Sequence, residues 1–199
     1  MSEPSTTPRQ RRQGPKRSET SQAAILDAVR DELSENGWRS FSVDNVARRA
    51  KASKQTIYKW WPSIGTLCLD AALSLIPAIP EGARDAEQRI AAVIAPLEAT
   101  ARTGNGGYIL RSALLAAADD DDAGEKWRAW VKSELRMPLR MVLAELAAKR
   151  VIHRDWDLDD AMALLVGAFW HKLLIMRAPI PNGFSLKQAE TLLTLLRNE

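Results

Sequence analysis

Apolar residues recur along this chain at the three-to-four residue step of one-sided helices, and no stretch alternates as a half-buried strand does. Ile25, Ala28, Val29 and Leu33 mark one face of a helix over 19–36, with Asp27, Arg30, Asp31 and Glu35 on the other. The Asn36-Gly37 pair stops it, and Trp38 and Phe41 are expected as core beyond it. Val43, Val46, Ala47 and Ala50 repeat the pattern in a second, shorter helix capped by Ser42. Asp44 lies in its first turn, and Arg48, Arg49 and Lys51 lie in its last, which suits the helix dipole. Ser53 can then cap a third helix that carries Lys54 to Trp61 and ends at Pro62.

The rest of the chain predicts more helices. Ser63 caps one over 64–76, closed by Pro77 and Pro80. Another spans 83–102, with Ile90, Val93, Ile94 and Leu97 apolar and Pro96 as a kink site. The glycine-rich turn 103–107 leads to a helix over 108–118. A long helix over 123–151 is interrupted at Met137-Pro138, with Asp122 and Glu125 at capping-box spacing at its start. Asp157 and Asp160 open a helix to about residue 177 that is apolar nearly all round. Such a helix is expected to take part of its cover from another chain, the last two helices of each of two subunits forming a four-helix homodimer interface; a purely intrachain core is the alternative. Ser185 and Gln188, again at capping-box spacing, begin a last helix with Leu186, Leu192, Leu193, Leu195 and Leu196. The fold class is all-α: an N-terminal three-helix unit followed by a helical C-terminal domain.

Two short helices joined by a three- or four-residue corner make a helix-turn-helix, whose second helix can enter the major groove of DNA. Ile57 and Trp61, four apart, point inward. Gln55, Thr56 and Lys59 then face out, with Lys54 and Tyr58 at the flanks. Gln can pair with adenine, Thr can touch a thymine methyl, Lys can bond guanine or phosphate, and Tyr can bond a phosphate oxygen. The plainer alternative is a helical hairpin with solvated charges.

The run Ser53-Lys54-Gln55-Thr56-Ile57-Tyr58-Lys59-Trp60-Trp61-Pro62-Ser63, preceded by Val43-Asp44-Asn45-Val46-Ala47, resembles the N-terminal DNA-binding domain of the tetracycline-repressor (TetR) family of bacterial transcription regulators. The resemblance covers roughly residues 18–75. It implies that Ser42 and Tyr58 meet phosphates, that Gln55 and Thr56 face base edges, and that Ile57 and Trp61 are core. The candidate DNA-binding set is Ser42, Ser53, Lys54, Gln55, Thr56, Tyr58 and Lys59. The family often carries Lys directly after the Pro-Ser pair, whereas this chain has Ile64. The resemblance further implies a homodimeric repressor, released from a palindromic double-stranded operator by a small apolar or amphipathic ligand. The helix after Pro62 would change the separation of its two DNA-reading heads.

Charge is distributed to match. Residues 1–62 hold 12 Lys and Arg against 7 Asp and Glu, whereas residues 63–199 hold 16 against 18. A basic N-terminal part is what phosphate binding by counterion release requires, although many solvated surfaces carry as much. Residues 1–17 lack apolar periodicity and are expected to be a disordered basic segment. Arg9, Arg11, Arg12, Lys16 and Arg17 make it either an arm for DNA or a solubilising tail. The expected organisation is this arm, a helix-turn-helix domain over 18–62, and a ligand-binding and dimerisation domain over 63–199. No apolar run approaches the ~20 residues of a membrane span, and no apolar signal region opens the chain, so a cytoplasmic protein is expected. Cys68 is the only cysteine, which excludes an intrachain disulfide and a cysteine zinc cluster. It is expected as a buried apolar side chain.

Catalytic chemistry finds no footing. His153 and His171 are the only histidines, and His171, amid apolar residues, is expected as a core histidine. The Gly-rich turn lacks the strand and the Gly-Lys-Ser/Thr of a phosphate loop, and Asp119 to Asp122 lack the spacing of a calcium loop. No metal or cofactor is implied, and the expectation is a protein that is not an enzyme. The C-terminal part is expected to bind a small molecule in an apolar cavity lined by Tyr108, Trp127, Trp130, Met137, Phe169, Trp170 and Met176, with Arg111 or His171 as the polar anchor. Each of these residues could equally pack the core.

Overall fold

In a computed structural model, residues 15–197 are described, and among them every regular element is helical. The first helix, α1, covers Pro15–Asn36 and so begins earlier than the apolar pattern indicates. Proline suits a first helical turn, where its missing N–H has no partner to lose. Residues 15–17 of the expected disordered arm are therefore helical, and the remainder of that arm, 1–14, lies outside the described residues. Ile25, Ala28, Val29 and Leu33 are buried as their spacing predicts. The helix ends at Gly37, whose φ of 68° lies in the left-handed region and whose N–H bonds the Leu33 carbonyl at 2.9 Å.

After a 3-10 turn at Trp38–Ser40 come α2, Val43–Arg49, and α3, Lys54–Trp60. Ser42 and Ser53 cap them, accepting from the Asn45 and Thr56 N–H groups. The corner between them is a Schellman turn with Lys51 at φ 51°, the Ala52 N–H reaching back to the Ala47 carbonyl at 2.9 Å. α4, Ile64–Leu73, starts at a full Ser63–Thr66 capping box. Its last predicted residues leave the α-helix because Leu75 and Ile76 bond three residues back, to Ala72 and Leu73.

The body comprises α5 (Ala86–Arg102), α6 (Gly106–Ala118), α7 (Asp121–Val131), α8 (Met137–Ala148), α9 (Leu158–Trp170) and α10 (Phe184–Leu196). A π-helical segment, Lys132–Arg136, fills the interruption expected before Pro138, and a second, His171–Met176, extends α9. The Gly-rich turn serves packing. A Cβ at Gly106 would sit 2.1 Å from the Thr100 carbonyl oxygen, so only glycine lets α6 leave α5 this closely.

Two expected caps are held differently. α7 is capped by Asp120, which accepts from the Ala123 N–H at 2.9 Å, and not by Asp122. Ser185 lies inside α10, and that helix is met at its start by Glu98 of α5. The Glu98 carboxylate accepts from the Gly183 and Ser185 N–H groups at 2.8 and 2.7 Å. Burial pushes Glu98 upward, but the hydrogen bonds donated by Ser185, Gly183 and Phe184 outweigh it and hold the group below its usual value.

One apolar core runs from Ile25 through Ile57, Trp61 and Cys68 to Leu196. Helix α4 joins its two ends. Trp61 Nε1 donates to Asp70 at 2.8 Å and Arg30 to Ser74 at 2.8 Å, tying α4 to the head, while Lys126 of α7 pairs with Asp70 at 2.5 Å. Cys68 is fully buried, and burial, followed by the charge of Asp120, pushes its thiol far up, so it packs as an inert apolar group. Among the described residues no helix is long and apolar enough to cross a membrane.

Candidate nucleic-acid interface

The candidate interface is built on α3. Ile57 and Trp61 are buried, at 1% and 6% exposure, and fix which way the helix is turned. Seven residues of helix leave the opposite face to Lys54, Gln55, Tyr58 and Lys59, all exposed, with Thr56 half-buried between them. The side chains of Gln55, Tyr58 and Lys59 make no hydrogen bond or ion pair among the described residues. Their donors and acceptors are therefore available to a partner outside the chain.

The other expected contacts are already engaged. Ser42 and Ser53 spend an acceptor lone pair on capping, and Ser53 also shares a hydrogen bond with the Thr56 hydroxyl at 2.8 Å. Lys54 reaches across the corner to Asp44 at 2.9 Å, and that hydrogen bond, followed by the Asp44 charge, raises its pKa. Sequence spacing missed this partnership because Asp44 and Lys54 lie on different helices.

Behind the interface, polar groups hold α2 on α1. Glu32 is fully buried and accepts from the Asn45 amide at 3.0 Å, with Arg49 at 3.8 Å from its second oxygen. Arg49 also grips Glu35 through a forked pair, one arm at 2.8 Å. That hydrogen bond holds Glu35 below and Arg49 above their usual values. Arg49 thus braces the head, whereas Arg48 remains on the exposed side, bonded to the Asn45 side-chain oxygen at 2.9 Å. Ile64, in place of the lysine common in the family, is half-buried against the core.

Residues expected around one ligand cavity are split among three places. Trp127 stacks on Trp130 at 5.1 Å, and Trp170 meets Trp127 and Phe169 edge-on at 5.6 and 4.7 Å, so these four rings pack largely on each other. Met137, His171 and Met176 are exposed, which overturns the core position expected for His171. Tyr108 and Arg111 line a separate cleft of about 190 Å³ together with Arg177, a residue that no local pattern marked. Among the described residues no cluster of His, Cys, Asp or Glu could hold a metal ion.

A braced two-helix corner with an outward polar second helix, set on an all-helical body, is the arrangement of a helix-turn-helix head. Residues 25–76 match the family of bacterial regulatory proteins described as the tetR family. The chain is 28% identical over 180 residues to the HTH-type transcriptional regulator YdeS of Bacillus subtilis (strain 168), covering 88% of this chain and 89% of the relative. The crystal structure of the TetR family transcription regulator SCO0332 superposes with a TM-score of 0.63 at 28% identity, covering 89% of this chain and 99% of that one. TylP, a tetR regulator from Streptomyces fradiae, shares the fold at a TM-score of 0.62 and 16% identity, over 92% of this chain and 89% of its own. Residues 25–76 therefore carry a DNA-binding domain of the tetR family, and the protein is a DNA-binding regulator of transcription.

Proposed function

We propose that the protein is a homodimeric repressor that binds a palindromic operator and is released by a small apolar or amphipathic ligand. In this reading residues 18–62 form the DNA-reading head, residues 63–199 serve ligand binding and dimerisation, and the protein acts on DNA in the cytoplasm without catalysing a reaction. The observation that carries the reading is the free outer face of α3: Gln55, Tyr58 and Lys59 stand exposed and unpaired while Ile57 and Trp61 lock the helix from behind.

Gln55 and Thr56 read base edges; Tyr58, Lys59 and the capping serines bond phosphates. Lys54 exchanges Asp44 for a phosphate on binding. Two heads about one DNA turn apart, ~34–36 Å, address the two half-sites. The ligand acts by binding one spacing of the heads more tightly than the other.

The test is titration of the protein against its own upstream intergenic DNA and against random DNA at one salt concentration. Tighter binding to the intergenic DNA is expected. Equal affinities for the two would replace the repressor with a sequence-independent DNA binder, and no binding to either would end the reading.

A further inference from the structure

We propose that the cleft holding Arg111 and Arg177 is the effector site and that it takes a small organic carboxylate. This inference rests on the reading of the protein as ligand-responsive. The cleft lies between the start of α6 and the segment that follows α9. It has a volume of about 190 Å³ and is lined by Gly104, Gly107, Tyr108, Arg111, Arg177 and Ile180 among others.

Among the described residues Arg30, Arg49, Arg89, Arg136 and Arg197 pair with carboxylates, while others such as Arg39, Arg84 and Arg140 do not; this cleft differs in that two unpaired arginines line it together. Neither Arg111 nor Arg177 has an acidic partner among the described residues, although both border one cavity. The Arg111 guanidinium lies 4.7 Å from the centre of the Tyr108 ring, a contact that orients the cation and leaves its N–H donors unspent. Two planar forks beside one cavity suit an anion that accepts two parallel hydrogen bonds, as a carboxylate does.

The backbone around the cleft is held in uncommon states. Arg177 sits at φ 50°, a left-handed conformation that a non-glycine residue adopts at a cost, and it ends the π-helical segment His171–Met176. The Ala178 N–H closes that end on the Lys172 carbonyl at 3.0 Å, and Arg102 holds the Ile180 carbonyl at 3.3 Å. At about 190 Å³ the cleft lies below the ~300 Å³ at which drug-sized ligands begin, so its occupant is small. Within an otherwise polar lining, Leu173, Pro179 and Ile180 give one apolar side that a short hydrocarbon tail can use and a bare inorganic ion cannot.

The site also touches the DNA-reading head. A Cβ at Gly37 would lie 2.7 Å from the Tyr108 hydroxyl, so that hydroxyl rests against the turn that ends α1. Asn105, another lining residue, donates to Ser34 on α1. An anion that draws Arg111 away from the Tyr108 ring therefore acts one side chain from the head.

Calorimetry and thermal unfolding of the full chain with sodium hexanoate, hexanol and inorganic phosphate at matched ionic strength test the assignment. Saturable binding of hexanoate, and of neither other probe, is expected. Arg111→Gln and Arg177→Gln, on separate elements, should each weaken hexanoate at least about tenfold, the scale of one charge-assisted hydrogen bond, with partial recovery in Arg111→Lys. Unchanged affinity in both Gln variants, equal binding of hexanol, binding of phosphate alone, or no binding of any probe each overturns the proposal. DNA titration of the same preparation separates the two readings. A protein that selects its operator yet ignores hexanoate loses this site and keeps its regulatory role, and one that binds hexanoate but no DNA does the reverse.

Discussion

Lys54 shows how one charge can be reserved. Its ammonium lies 2.9 Å from Asp44, and both side chains are well exposed, so the pair is weak and screened by salt. A DNA phosphate competes with Asp44 on equal terms. Asp44→Asn should release Lys54 and raise affinity for random DNA several-fold. Lys54→Gln, by contrast, should flatten the slope of log affinity against log salt by roughly one unit, the loss of one phosphate contact. Fluorescence anisotropy across a salt series reads both, and an unchanged slope would mean that Lys54 stays off the backbone. Gln55 and Tyr58 are separable in the same assay. Gln55→Ala should shrink the preference for operator over random DNA by about 1–3 kcal/mol, whereas Tyr58→Phe should weaken both duplexes alike. The inward and outward sides of α3 were legible in the sequence because Ile57 and Trp61 stand four residues apart before a proline. The Asp44 partnership was not, since it depends on how α2 and α3 cross.

Helix boundaries divide along a similar line. Caps supplied by a neighbour in sequence were legible: Ser42, Ser53, Ser63 and Asp157 each accept from an N–H two or three residues ahead. The cap of α10 was not. Ser185 and Gln188 have the right spacing, but Glu98, 87 residues before Ser185, occupies the helix start. Local pattern is blind to a carboxylate brought there by packing. Glu98→Gln replaces one acceptor with a donor that faces an N–H, which should cost about 1–3 kcal/mol at neutral pH. Because the folded protein holds Glu98 below its usual value of 4.5, the carboxylate stabilises the fold fully above about that pH and progressively less as pH falls through the lowered value. The deficit of Glu98→Gln should therefore be largest at pH 7 and shrink below about pH 4.5. Urea unfolding of both proteins at pH 7 and pH 4 checks this, and a deficit independent of pH would remove the carboxylate from the account.

For the whole molecule, the sequence conveyed an all-helical chain with a helix-turn-helix at its start but not one assembled ligand cavity. Aromatic residues that share a helical stripe can pack on each other, as Trp127, Trp130 and Trp170 do, or line a space, and periodicity is the same in both cases. The all-round apolarity of α9 and its extension is partly answered within the chain, where Leu165, Val166, Phe169 and Leu173 are buried. Leu164 and Ile175 remain exposed at 46% and 70%, eleven residues and so about three turns apart on one side. Half-exposed Gly167 and Ala168 and exposed His171 lie between them on the same stripe, and a Cβ at Gly167 would touch nothing within 4 Å. Small residues flanked by large apolar ones leave room for a second helix to approach, and a twofold axis would bring the same stripe from another copy. Standard interfaces bury about 800 Å² per partner, so in such a dimer α10, which packs beside α9, would contribute as well. Leu164→Arg places a charge on this stripe without disturbing a buried side chain. It should yield a folded monomer by sedimentation, with an unchanged far-ultraviolet helical signal. Affinity for a palindromic operator should fall steeply while affinity for a single half-site stays near that of the parent. A variant that sediments as the parent does would move the interface off α9 and leave its exposed leucine and isoleucine without a partner.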